Sequence, residues 1–322
     1  MTDKFLIGHA DDAEKGTGVT VLLALEGATG GVSVRGAAPG TRETDLLRCG
    51  NTVEKINAVV LAGGSAFGLE SCCGVMDYLR ERGVGYDAGG FKVPIVCGAV
   101  LYDLEYKAFA YPDKKMGYLA ASTALAESFQ CGNVGAGTGA TIGKILGMTS
   151  AAKGGLGVYS VKIGEIEVTA VIAVNAMGDV YGKDGKIIAG AKAGGEFVDT
   201  MKLLTGGAFS ADVENLRGKN TTIGCILTNA KLNKEQANKL ADIAHDGYAE
   251  AIRPVHTMFD GDTIFAMASG EKKGEFLQIC AAAVEATAAA VRIAVANAPQ
   301  INEGKSNLLK TGLELFKKFI SK

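Results

Sequence analysis

No stretch of this 322-residue sequence stays apolar for the ~20 residues that a bilayer crossing needs. Its start, Met1-Thr-Asp-Lys-Phe5, also lacks the basic-then-apolar layout of a signal peptide. Both absences point to a cytoplasmic protein without membrane partners. An excess of one charge is missing as well: Lys+Arg 33 stand against Asp+Glu 35, so no long-range field selects nucleic acid. There is no Cys-x-x-Cys pair. The seven cysteines are scattered at positions 49, 72, 73, 97, 131, 225 and 280, which predicts reduced and mostly buried thiols. Asn220-Thr-Thr has the form of a glycosylation acceptor, a reading that needs secretion and falls with it. No repeat of fixed period occurs, which excludes solenoids and propellers.

Prolines number only 5 while glycines number 45, an imbalance that marks tight turns and close backbone approach rather than low complexity. With 48% hydrophobic and 21% charged residues the chain can bury a full core. Patterning predicts strands over Thr17–Leu25 and Gly31–Arg35 joined as a hairpin, then a strand over Ile56–Ala62. Leu69, Cys72, Cys73, Met76 and Leu79 fall at helical spacing and predict a helix that stops at Gly83. An edge strand follows over 93–104, irregular because of Pro94, and then a helix over 116–129. A strand pair is expected over 155–163 and 168–175, with a polar connector from Gly182 to Asn220 carrying one short helix over 196–204. After the connector come a strand at Thr221, a helix over 234–251, a strand over 263–268 and two helices, over 275–297 and up to Lys322. Paired strands flanked by helices predict an α+β fold: a four-layer αββα sandwich of two mixed or antiparallel sheets in one domain.

Several glycine-rich turns resemble known sites without matching them. Gly63-Gly-Ser65-Ala-Phe67 has Phe where a nucleophile elbow needs Gly, and Gly63-Gly64 lacks the residue between the first two glycines of a dinucleotide fingerprint. The loop Gly132-Asn-Val-Gly-Ala-Gly-Thr-Gly-Ala-Thr-Ile-Gly-Lys144 has Thr138 where a Walker loop needs Gly and Ile145 where it needs Ser or Thr. ATP is therefore disfavoured, and no cofactor is expected. Taken alone, Lys144 reads as an exposed surface charge.

The junction Asn220-Thr221, where a charged connector meets a β-branched run, holds different chemistry. A Thr inside a chain has no local base. Cleavage before it would free an α-amine of pKa near ~8 within reach of its own hydroxyl, so one residue would supply nucleophile and base. The plain alternative is a strand entry. Asn175, at a strand end, reads either as a turn former or as an oxyanion donor. Asp260-Gly-Asp262 places two carboxylates near one point, or simply forms a turn.

Five segments in order, Leu61-Ala-Gly-Gly-Ser-Ala-Phe-Gly-Leu69, Gly135-Ala-Gly-Thr-Gly-Ala-Thr-Ile-Gly-Lys144, Val174-Asn-Ala-Met-Gly-Asp179, Asn220-Thr-Thr-Ile-Gly224 and Arg253-Pro-Val-His-Thr-Met-Phe-Asp-Gly-Asp262, resemble the L-aminopeptidase/D-esterase family of self-cleaving hydrolases. That family includes β-peptidyl aminopeptidases and nylon-oligomer hydrolases. The resemblance implies an αββα fold and autocleavage between Asn220 and Thr221 into residues 1–220 and 221–322. It also implies a homo-oligomer of the processed heterodimers, such as a tetramer of αβ units. Thr221 matches the nucleophile, and Lys144, Asn175 and, in a looser motif, Tyr102 match site residues. Asp260 and Asp262 match the acidic pair of the nylon-oligomer hydrolases, where the aminopeptidase branch has Ser and Glu. The implied activity is hydrolysis of amides in short peptides, β-peptides or oligoamides through an acyl-enzyme. Three rivals stand beside it: a metal hydrolase using His245, His256, Asp260 and Asp262, a cysteine hydrolase, and a regulatory or binding homologue that never self-cleaves.

Overall fold

The computed structural model describes residues 4–126, 128–206 and 218–298. In chain order the main elements are β1 (Leu6–Asp12), β2 (Thr17–Val34), β3 (Thr41–Arg42), β4 (Lys55–Ala62), α1 (Ser71–Glu81), β5 (Val96–Val100) and α2 (Lys114–Ser122). They continue as β6 (Gly155–Ile163), β7 (Ile166–Asn175), α3 (Thr200–Thr205), β8 (Thr221–Ala230), α4 (Lys234–Ala251), β9 (Thr263–Lys272) and α5 (Phe276–Ala296). The nine strands form one hydrogen-bonded ladder in the order β6-β7-β8-β9-β2-β4-β5-β3, with β1 also on β2. Pairs β8–β9 and β4–β5 are parallel; the others are antiparallel.

The predicted hairpin does not form, and the reason explains the fold. Residues 17–34 make one 18-residue strand whose register shifts between Leu23 and Ala28, where Gly27 takes φ 75°. The chain does not reverse there; it changes partners. Before the shift β2 pairs with β1 and β4, and beyond it Thr29–Val34 pairs with β9. One long strand thus carries the ladder from one sheet into a second that faces it.

Side-chain alternation defines the layers. Val59 and Leu61 of β4 meet Val171 and Ala173 of β7, Ile223, Cys225 and Leu227 of β8, and Phe265 and Met267 of β9 in one buried cluster between the sheets. The intervening Ala58, Val60 and Ala62 pack instead on Val75 and Leu79 of α1 and Ala120 and Ala121 of α2. Ala170, Ile172 and Val174 of β7 pack on Leu240, Ala244 and Tyr248 of α4 and on Ala283 and Val291 of α5. The architecture is a four-layer αββα sandwich.

Local chemistry sets the element ends. Asn233 and Gln236 form a reciprocal capping box that starts α4. α2 ends at Ser122 rather than near 129, because the hydroxyls of Ser122 and Thr123 turn back to the Leu119 carbonyl. Pro94 confines the expected 93–104 strand to Val96–Val100, which lies between β4 and β3. Contrary to the expectation that no segment is long and apolar enough to cross a membrane, α5 is, despite Glu285 and Arg292, yet it packs on β6 and β7. Gly157 of β6 permits that approach: a Cβ there would lie 1.9 Å from the Ala290 carbonyl oxygen. Part of the polar connector (207–217) and the final expected helix lie outside the described residues.

Phe265 is fully buried between the two sheets. Replacing it with Ala should lower unfolding free energy by ~3–5 kcal/mol, read as a reduced urea midpoint by circular dichroism.

Candidate active site

Three chain segments meet at one end of the second sheet. Asn175 closes β7 and is the cross-strand partner of Thr221, which opens β8. Asn220 bridges to Asp260 in the loop that leads into β9. Thr221 is buried, and its hydroxyl contacts the carbonyl oxygen of Asn220. That same oxygen accepts the Gly261 amide at 3.0 Å. A side chain at 261 would press on Thr221 Oγ1, 2.9 Å from the Cβ position, so glycine lets the loop close over the junction.

The acidic pair is held by main-chain donors. Asp262 Oδ1 accepts the Thr222 amide at 2.7 Å, while Oδ2 accepts the His256 amide at 3.0 Å and its Nδ1 at 2.8 Å. Asp260 Oδ2 accepts the Thr257 amide at 2.7 Å and its hydroxyl at 2.5 Å. Burial, followed by the charge of Asp262, pushes the Asp260 carboxyl up to about 6; the Thr257 donors and Lys144 oppose this.

Lys144 is not the surface charge that its sequence context predicts. It is 4% exposed, and its ammonium donates to the Asn175 carbonyl and Oδ1, each at 3.0 Å, and to the Lys219 carbonyl at 2.8 Å. Three oxygens replace the water that such a group requires. Burial lowers its pKa to about 7, against the pull of Asp260, Asp103 and Glu105. Asn175 Oδ1 also accepts the Thr141 amide at 2.9 Å, which orients the side-chain amide. Its Nδ2 donates to the carbonyls of Tyr102 at 3.1 Å and Lys219 at 3.3 Å. Tyr102 borders the adjoining cleft with Glu105, and burial raises its pKa.

The structure therefore gathers Thr221, Asn220, Lys144, Asn175, Asp260 and Asp262, with Tyr102 at the edge. Other features of the site have no signal in the sequence, though His256 stands there as a candidate metal ligand. The Gly261 amide is a backbone donor, and the contact of His256 with Asp262 depends on a left-handed residue at φ 58°. Lys153 donates to the carbonyls of Gly137, Ala140 and Gly154 at 2.7–3.0 Å and is lowered to about 7 by burial. Asp103 accepts the Gly64 amide at 2.6 Å, and burial raises it to about 6. The glycine loop over 132–144 thus supplies two carbonyls to buried Lys153 and ends in buried Lys144.

His245 and His256 of the metal rival lie with ring centres 4.7 Å apart and His256 bonds Asp262, but each imidazole has a nitrogen engaged elsewhere than on a shared point. His245 Nε2 engages the Ser33 carbonyl at 3.0 Å, and burial lowers that imidazole to about 4. Among the described residues no group of three or more His, Cys, Asp or Glu is placed to hold a metal ion. The cysteines are unpaired, with Cys72, Cys97, Cys225 and Cys280 buried, and burial pushes their thiols up and away from the reactive thiolate.

The layered fold is shared with solved amide hydrolases. The L-aminopeptidase D-Ala-esterase/amidase of Ochrobactrum anthropi, described as a variant of the Ntn hydrolase fold, superposes with a TM-score of 0.70 at 16% identity over 99% of this chain and 93% of its own. A β-aminopeptidase of Burkholderia sp. gives 0.66 at 18% identity, over 98% and 92%. These define the class as an Ntn-type fold. Residues 4–308 match the model of peptidase family S58. An uncharacterized aminopeptidase of Mycobacterium leprae is 39% identical over 297 residues, 88% of this chain and 75% of that protein. The 6-aminohexanoate-oligomer endohydrolase of Paenarthrobacter ureafaciens is 33% identical over 270 residues, 82% and 73%. The chain belongs to peptidase family S58 and is a hydrolase acting on amide bonds.

Lys144 gives the site a pH signature. Its folded pKa of about 7 lies below the ordinary 10.5, so folding releases a proton between those values: stability falls as pH is lowered from about 10.5 to about 7 and levels off below that. Compared with a Lys144→Met variant, the wild type should gain up to ~2–3 kcal/mol between about pH 7.5 and 9.5, read by urea unfolding at both values.

Proposed function

We propose that Thr221 is both the processing residue and the catalytic nucleophile of a self-cleaving amide hydrolase. The observation that carries this reading is the Thr221 hydroxyl lying against the Asn220 carbonyl while the Gly261 amide donates to that oxygen at 3.0 Å. In processing, Oγ attacks the Asn220 carbonyl carbon, and the developing oxyanion is met by an amide already in place. The C–N bond then breaks, its nitrogen takes a proton, and an ester links Asn220 to Thr221. Water hydrolyses the ester, leaving a carboxylate on Asn220 and a free α-amine on Thr221.

In turnover the same hydroxyl attacks a substrate amide and the α-amine takes its proton. The amine product departs, and water releases the acid from the acyl-enzyme. Asn175 and Lys144, which bind the carbonyl one residue before the junction, would align the acyl side of the substrate; Asn175 Nδ2 would act as an oxyanion donor only by releasing the Tyr102 or Lys219 carbonyl that it now serves. Asp262, through the Thr222 amide, fixes the strand that carries the nucleophile. The acidic pair Asp260 and Asp262 and the 33% identity to a 6-aminohexanoate-oligomer endohydrolase favour short oligoamides and peptides as substrates. The family resemblance adds a homo-oligomer of processed heterodimers. A polypeptide cut at this junction would stay together, since residues on both sides share the β7–β8 ladder.

On a denaturing gel, purified wild type should give two fragments and Thr221→Ala a single 33.1 kDa band. Thr221→Ser should still process. N-terminal sequencing of the small fragment should read Thr-Thr-Ile-Gly-Cys. Two fragments from Thr221→Ala would remove the mechanism.

A further inference from the structure

Lys219 is held at both ends. Its carbonyl oxygen accepts Lys144 Nζ at 2.8 Å and Asn175 Nδ2 at 3.3 Å. Its own ammonium extends away from the junction to Glu105 Oε1 at 2.7 Å and lies 6.0 Å from the centre of the Tyr102 ring. Between these two anchor points runs a cleft bordered by Tyr102, Glu105, Tyr106, Met148 and Lys144. On the reading proposed above, residues 219–220 are the acyl side of the first amide this site cleaves. Their contacts are therefore those of a bound acyl group.

The two ends of Lys219 are recognised by different chemistry. The carbonyl contacts would serve any backbone, because Lys144 and Asn175 meet only a C=O. The side-chain contacts discriminate by charge: a carboxylate and an aromatic face favour a cation. The surroundings have the same sign. Asp103, Glu105 and Asp260 all act on Lys144 as negative neighbours, opposed by Lys219. Once processing frees the Lys219-Asn220 end and it leaves, Glu105 at the cleft rim loses its cationic partner, and a cationic occupant takes that place.

We propose that Glu105, with the face of Tyr102, forms an acyl-side subsite that selects substrates carrying a positive charge, and that Lys219 occupies it in the uncut chain. The preferred charge stands one backbone unit plus one lysine side chain from the reacting carbonyl. Suitable substrates are peptides with a basic residue immediately before the acyl residue, or oligoamides with an ammonium at equivalent reach. The Glu105 side chain is 43% exposed and that of Lys219 26%, so both tolerate substitution without loss of the fold, and the selectivity is of modest size.

The test uses the chain as its own first substrate and then two small ones. Lys219→Glu and Glu105→Lys should each slow self-cleavage about three- to ten-fold, and the double variant should return to within about two-fold of wild type. For processed enzyme, N-acetyl-Lys-Asn anilide should exceed N-acetyl-norleucyl-Asn anilide in kcat/KM by about three- to ten-fold, with the ratio falling to about one in Glu105→Gln. A double variant no faster than the slower single, or a Lys preference that survives in Glu105→Gln, overturns the subsite while leaving the nucleophile standing. Cleavage that persists in Thr221→Ala overturns the nucleophile instead, and a wild-type chain that never self-cleaves overturns both.

Discussion

Three ionisable side chains, Lys144, Asp260 and Asp262, are buried beside a single strand end, and the site depends on how that burial is offset. Removing such groups from water costs several kcal/mol each unless every hydrogen-bonding position is met. Here the partners are mostly main-chain: two carbonyls and a side-chain amide for Lys144, three donors for Asp262, an amide and a hydroxyl for Asp260. Main-chain groups in a β-ladder do not reorient, so the side chains attached to them do not either. The result is a polar cluster fixed before any substrate arrives, which is the condition under which dipoles stabilise a developing charge most effectively.

The fold supplies that rigidity through β2. Because one strand runs through both sheets, the inter-sheet core draws on segments from before and after the Asn220–Thr221 junction, with Leu61 and Val171 on one side and Ile223 and Phe265 on the other. A break at this point separates two pieces of chain but no layer. It also falls where the chain enters the ladder, so a new amine at Thr221 would be held: the next amide already donates to Asp262, and Asn175 lies opposite. A cut in an exposed loop would yield an amine with none of these constraints.

Periodicity and capping made parts of this legible in the sequence. α4 matches its expected span because an apolar face and the Asn233–Gln236 box act within the helix itself. β2 was misread because a glycine between two apolar runs signals equally a turn and a bulge, and only the partner strands distinguish them. Lys144 illustrates a harder limit. A lysine after a glycine-rich loop is exposed unless distant segments bring it oxygens, and these come from positions 175 and 219. The Gly261 amide leaves no trace in residue identity at all. Thr221, Asp260 and Asp262 stand out in the sequence only because five motifs in order resemble a known family; the local pattern of each fits an ordinary strand entry or turn.

If Thr221 performs both processing and turnover, the two reactions share a hydroxyl but cannot share a base. Before the cut its nitrogen is an amide, whose lone pair is delocalised and takes no proton. After the cut it is an amine with an intrinsic pKa near ~8. The first reaction must therefore use a neighbour; of the groups buried around the junction, burial displaces Asp260 to about 6 and Lys144 to about 7, toward neutrality from opposite directions. Those displacements arise from desolvation, so they are largest while the junction is closed under Gly261. Cleavage replaces an amide by an amine and a carboxylate, adds two charges to the cluster and must move both titrations. On that mechanism the first proton transfer would produce the amine that serves as base in the next.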